Sequence, residues 1–245
     1  NIEVLGSAKI TYFIIKGAAL VNTVAGLKEN YLSLVNPSKS TLNSMGMLTA
    51  EALINVEKFD RTISTIMGIE DRFLIRIGDI GIPNNQLQIV TGTASSESIL
   101  ESNKITDASW VIPTGKWVHI AVTYNKDDGA INFYMDGKHK GSTYYSDYKR
   151  MIHWGMSNFY IGKSFDDDRW LYGDICEVRV WKRILTSDEI NVKNHFYAVE
   201  PDSEGLEAYW KFDENYTNII EDKTGHGNTL VASKDLSWHP VSLPE

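Results

Sequence analysis

The sequence predicts an all-β protein built as an antiparallel sandwich, on three observations. Short runs of alternating apolar and polar residues, rich in β-branched and aromatic side chains, recur between turns containing Gly, Asn or Asp. A single segment reads as helix. Strand and helix runs do not alternate, as a parallel sheet would require.

Taken in order, residues 1–24 are apolar-rich and strand-like, with Ile10, Tyr12 and Ile14 set against Phe13 and Ile15 before a turn at Gly17. One domain over 1–245 is expected, with 1–27 as an N-terminal extension or linker strand. Regular alternation begins at Asn30. Tyr31 to Leu34 is one strand and Leu48 to Val56 another. Ile66 to Ile77 supplies one or two strands around Glu70 and Asp71, and Leu87 to Thr91 a further one. The Ser-, Thr- and Glu-rich segment from Thr93 to Asp107 reads as a loop. Trp117, His119, Ala121 and Thr123 then alternate with Val118, Ile120, Val122 and Tyr124; the chain turns at Asn125 to Gly129 and alternates again through Ile131, Phe133 and Met135. That is a hairpin. Thr186 is an N-cap type residue followed by Asp188 and Glu189, so a short helix is expected near 186–196. Closing strands are expected at Leu206 to Phe212 and around Leu230 and Val231.

Composition narrows the function. A chain of 245 residues is long enough for a large β-sandwich core. No apolar run approaches the ~18 residues that cross a bilayer, so membrane insertion is not expected. The net charge is −8, without a Lys/Arg-rich stripe, which argues against nucleic acid and against a polybasic membrane-binding face. Cys176 is the only cysteine, so neither an internal disulfide nor a cysteine-based metal site can form.

Three phrases carry a family resemblance: GKWVHIAVTYNKDDGAINFYMDGK (115–138), YIGKSF (160–165) and GDICEVRVWKRILTSDEI (173–190). In order and spacing they resemble the laminin-G-like branch of the concanavalin A-like lectin/glucanase jelly rolls. The resemblance implies an antiparallel jelly roll, a fold that hosts lectins, enzymes and adhesion modules alike. The phrase GLEAYWKFDENYTNIIEDKTGHGNTLVA (205–232) is similar to one that often begins such modules. The 39 residues after Leu206 are too few for a second sandwich, so these strands are expected to close the first. The segment 64–90 looks like laminin-G-like modules of gut Bacteroidetes surface lipoproteins. That likeness implies a bacterial cell-surface or periplasmic location and, as partners, a glycan or glycoconjugate and other domains of a longer polypeptide.

Catalysis by this fold needs paired carboxylates on one strand face, as in Glu-x-Asp-x-Glu, because residues two and four apart point the same way. No such motif occurs. Glu51, Glu57 and Glu70 stand alone in their strands, Asp213 and Glu214 are adjacent, and His119 matches the family's strand pattern as a structural residue. The chain is therefore expected not to be an enzyme. Two loops suit sugar binding. In 142–158, Tyr145, Tyr148 and Trp154 lie among polar residues. In 164–172, Asp167, Arg169 and Trp170 combine charge-assisted hydrogen bonding with a flat apolar face for a pyranose ring. The bland alternatives are a solvated acidic loop and packing of a long loop on the sheet.

The resemblance also implies a structural Ca²⁺ held by Asp213, Asp222 and Asn228. The family's third contribution, an Asp, is Cys176 here, and a thiol is a poor ligand for a hard cation. Alternatively, Asp222 organises the turn at Lys223, Thr224 and Gly225. The function expected is a non-catalytic carbohydrate-binding module for glycan capture at a bacterial cell surface; the alternative is a protein–protein adhesion or scaffold module of laminin-G type.

Overall fold

The computed structural model describes residues 21–242, apart from 44, 71, 96–97, 145–157, 165–168, 193–194 and 215–216. Sixteen strands form two antiparallel sheets, as the alternation predicts. Sheet A comprises β1 (Val21–Leu27), β3 (Met47–Val56), β8 (Trp117–Asn125), β9 (Ala130–Met135), β10 (Lys138–Tyr144), β12 (Gly173–Trp181), β13 (Leu206–Trp210) and β16 (Ser237–Ser242). Its order is β10-β9-β8-β3-β12-β1-β16, with β13 also paired to β12. Sheet B runs β14-β15-β2-β11-β4-β5-β6-β7. Its strands are β2 (Leu32–Leu34), β4 (Ser64–Ile69), β5 (Phe73–Asp79), β6 (Ile82–Ser95), β7 (Ser98–Val111), β11 (Tyr160–Ile161), β14 (Ile219–Ile220) and β15 (Leu230–Ala232). The 205–232 phrase thus closes both sheets of the sandwich.

Register makes the core. Because side chains alternate, one row of each sheet faces the other sheet. In sheet A the row Phe133–Val122–Ala50–Val180–Ala208 does so; in sheet B it is Leu32–Ile161–Met67–Ile75–Ile89–Ile105. All of these belong to one buried apolar cluster, with Trp210 and Phe159 stacked inside it. Trp181 instead lies in a second cluster on the outer face of sheet A, where Ile190 packs beside Tyr134, Leu206 and Tyr209.

Two expectations need correction. The Thr93–Asp107 segment is not a loop, because β6 and β7 run through it as a long hairpin in which Thr91 pairs with Asn103 and Ser95 with Ser98. Its Thr and Ile residues are β-branched and favour strands, whereas its Ser and Glu content is equally that of a loop. The helix, α1 (Ser187–Ile190), is a single turn rather than 186–196. Thr186 and Glu189 form a reciprocal capping box that fixes its start. Residues 21–27 form β1, which lies between β12 and β16 of sheet A.

Candidate functional site

The outer face of sheet B carries two rows of another character. One reads Ile219–Val231–Ser33–Tyr160–Gly68–Leu74–Val90–Lys104 across the strands, and the next Thr65–Arg76–Gln88–Thr106. Gly68 has no side chain for a backbone reason. Its φ is +129°, and a Cβ there would lie 2.1 Å from the Phe73 carbonyl oxygen. The row is therefore recessed beside Tyr160.

Three half-buried aromatic rings gather at that recess. Tyr31, just before β2, stacks on Trp170 with ring centroids 5.8 Å apart and 18° between planes. Tyr160 meets Tyr31 edge-on at 5.5 Å. The Lys163 ammonium lies 4.6 Å from the centre of the Tyr31 ring and 5.6 Å from that of Trp170, a cation–π arrangement. The loop bearing Trp170 is pinned at its ends, since the Leu171 N–H donates to the Gly162 carbonyl and the Thr65 N–H to the Arg169 carbonyl.

Beside the rings runs a chain of charges. Arg169 Nη1 donates to Glu70 Oε1 at 3.3 Å, and Arg76 Nη1 lies 3.7 Å from the same oxygen. Arg76 also donates to Asp79 (2.6 Å) and to Gln88, while Lys104 donates to Asp79 at 2.7 Å. Burial pushes the Asp79 carboxyl up, but hydrogen bonds from Lys104 and the Ile80 N–H, with the Arg76 charge, outweigh it and hold the group below its ordinary value. Leu74, Val90, Thr65, Arg76, Gln88 and Asp79 are buried, so what this face offers a ligand is the half-buried group of rings with Arg169 beside it, apolar surface next to a charged donor.

Of the six residues expected to bind ligand, Arg169 and Trp170 reach this platform. Tyr145, Tyr148, Trp154 and Asp167 lie outside the described residues. Sequence reasoning missed Tyr31, Tyr160 and Lys163. The first two read as strand residues, and only the pairing of β11 with β2 and β4 brings them to Trp170.

The residues expected to hold calcium are placed differently. Asp222 Oδ1 accepts from the Tyr209 and Thr224 N–H groups and from Thr224 Oγ1, and Oδ2 from the Asn228 N–H and Nδ2. Asn228 Nδ2 also donates to Thr41 and to the Glu207 carbonyl. Asp213 is paired with Lys223 at 2.9 Å. This donor set, as arranged, fits a hydrogen-bonded turn lock and does not fit a calcium cradle, because donors occupy both Asp222 oxygens. Cys176 is fully buried, and that burial holds its thiol well above the usual range.

A second polar cluster lies on the outer face of sheet A, beneath α1 and the segment after it. The row Tyr134–Ala121–Glu51–Arg179–Tyr209 crosses four strand pairings. A bulge in β12 at Glu177, whose φ is +52°, brings that carboxylate beside Arg179 (2.5 Å) and under the Tyr209 hydroxyl (2.6 Å). Arg179 Nη1 donates to the His195 carbonyl, and Glu51 joins Arg179, Trp181, His119 and His195.

Two antiparallel sheets with a recessed, aromatic-bearing outer face define a lectin-type jelly-roll sandwich. The chain belongs to the concanavalin A-like lectin/glucanases superfamily, whose laminin-G-type model matches residues 28–191. It is similar to human neuronal pentraxin-1, at 30% identity over 112 residues that make up 43% of this chain and 26% of that protein. The chain thus spans about a quarter of the length of the curated relatives it matches. Among solved structures it resembles a proposed carbohydrate-binding protein from Bacteroides ovatus, with a TM-score of 0.71 and 25% identity, covering 93% of this chain and 62% of that one. A serum-amyloid-P-like pentraxin from Limulus polyphemus shares the fold, with a TM-score of 0.56, 16% identity, and 79% and 93% coverage.

Proposed function

We propose that this chain is a non-catalytic carbohydrate-binding module that captures glycans at a bacterial cell surface. The observation that carries the reading is the Tyr31–Tyr160–Trp170 platform on the outer face of sheet B, flanked by Lys163 and the Arg169–Glu70–Arg76 chain. A pyranose ring laid on the half-buried aromatic group gains apolar contact, and its hydroxyls gain charge-assisted hydrogen bonds from the neighbouring ion pairs. The proposed carbohydrate-binding role of the Bacteroides ovatus neighbour supports the same reading. On this face, against the effect of burial, Lys104, the Ile80 N–H and Arg76 hold the Asp79 carboxyl below its ordinary value, so it is not the raised acid that glycoside cleavage needs.

A second reading, protein–protein adhesion, draws on the exposed Ile219 and Val231 at the far end of the same row. A glycan microarray probed with the wild type and with Trp170→Ala separates the two. Glycan binding supports the first reading if it is present in the wild type and lost in the variant. A blank array across neutral and acidic glycans, together with a protein partner that needs Ile219, would establish adhesion in its place.

A further inference from the structure

The cluster under α1 has a geometry that glycan capture does not use. We propose that Glu51, His119 and His195 form a site for one divalent transition-metal ion of the zinc type. Glu51 comes from β3, His119 from β8, and His195 from the chain after α1. One donor atom of each lies within 4.8 Å of the other two. Glu51 Oε2 is 3.1 Å from His119 Nε2 and 2.8 Å from His195 Nε2. Around a tetrahedral ion with bonds of ~2.0–2.1 Å, ligand atoms stand roughly 3.3 Å apart. Shifts of a few tenths of an ångström would open these two contacts to that spacing, with the two histidine nitrogens, which lie within 4.8 Å of each other, completing the triangle.

The second carboxylate oxygen is held by protein. Arg179 Nη1 and Trp181 Nε1 both donate to Glu51 Oε1, at 3.3 and 2.8 Å, and leave Oε2 as a single inward-facing ligand. Outer hydrogen bonds of this kind orient metal-binding carboxylates. Charge favours a cation as well, since two buried carboxylates, Glu51 and Glu177, share the one guanidinium of Arg179. His119 would bind the ion through Nε2 with its ring proton on Nδ1, which is buried with no hydrogen-bond partner. Two imidazoles with one carboxylate suit zinc, cobalt or nickel and disfavour calcium. The side chain of His195 is 9% exposed, against 0% for Glu51 and His119, and so marks the side by which ion and water reach the centre. The fourth position of the ion would be taken by water.

The test is titration of chelator-stripped protein with Zn²⁺, Co²⁺ and Ca²⁺, followed by calorimetry and thermal melting. The expected result is one equivalent of Zn²⁺, a melting temperature higher by about 5–10 °C at a hundredfold excess over Kd, intense tetrahedral Co²⁺ bands in the visible, and no response to Ca²⁺. His195→Ala, at the accessible edge, is expected to abolish all three zinc and cobalt responses. The absence of one-to-one zinc binding, or unchanged binding in His195→Ala, would overturn the proposal. If that variant fails to fold, the wild-type Co²⁺ spectrum decides: weak octahedral bands would overturn the site and tetrahedral bands would uphold it.

Discussion

Tyr31 and Trp170 stack at 5.8 Å between ring centroids, although one precedes β2 and the other follows β11. Both rings remain half-buried, and the Lys163 ammonium lies over them at 4.6 and 5.6 Å from their centres. Such a pair contributes about 1 kcal/mol beyond the area it buries. Tyr31→Ala, which loses the part-buried ring area as well, should therefore lower stability by about 2 kcal/mol in urea denaturation and leave the circular dichroism unchanged. A loss of several kcal/mol would mean that Tyr31 is a core residue.

Arg179 lies between two buried acids, Glu51 and Glu177. Burial opposes its charge, but Glu51 and Glu177 outweigh that and hold it well above the ordinary guanidinium value. Removing one partner of a buried ion pair strands the others without compensation, which typically costs about 3–5 kcal/mol. Arg179→Leu is predicted to lose that much in equilibrium denaturation, or to be recovered only as insoluble protein. A loss below about 1 kcal/mol would show that the network adds little to stability.

Asp79 links stability to pH. Its carboxyl is held below the ordinary value in the folded state, so the unfolded chain binds the proton more readily. The stabilisation is complete above the unfolded value of about 3.9 and is lost as pH falls through the folded one. Asp79→Asn should cost about 2 kcal/mol at pH 7. The gap between variant and wild type should narrow as pH drops below about 4. A gap that does not change with pH would contradict the assignment.

Asp222 accepts five hydrogen bonds, three of them from backbone N–H groups. Asp222→Ala strands those donors and should cost about 2–4 kcal/mol. Millimolar CaCl₂ is predicted to leave the wild-type melting temperature unchanged. A calcium-dependent rise abolished by Asp222→Asn would place an ion there.

Much of the fold was legible in the sequence because alternation reports burial directly. Val118, Ile120, Val122 and Tyr124 face the core as their spacing predicts, with His119, Ala121 and Thr123 on the opposite face. The Thr186 capping box was equally local. Long-range register was not. Glu51 and His119 are separated by 68 positions and meet only because β3 pairs with β8, while Tyr31 reaches Trp170 only through β11. A lone acid and a lone histidine in apolar strands gave no local sign of one another. The alternation did place His119 away from the core, and a polar residue on a sheet face that a helix then covers is the signal that could have found the cluster. The β6–β7 hairpin was hidden because the segment is rich in Ser, Thr and Asn, which also make loops.

The central claim is that glycans bind on the sheet B platform. Its most direct test is isothermal titration of the strongest array glycan against wild type, Trp170→Ala and Arg179→Lys, the last altering the opposite sheet. Losing the stacking surface typically costs about 1–3 kcal/mol, a five- to hundredfold rise in Kd. The account predicts such a loss in Trp170→Ala and wild-type affinity in Arg179→Lys wherever that variant is folded. Equal affinity in wild type and Trp170→Ala would contradict it and move the binding site off this face.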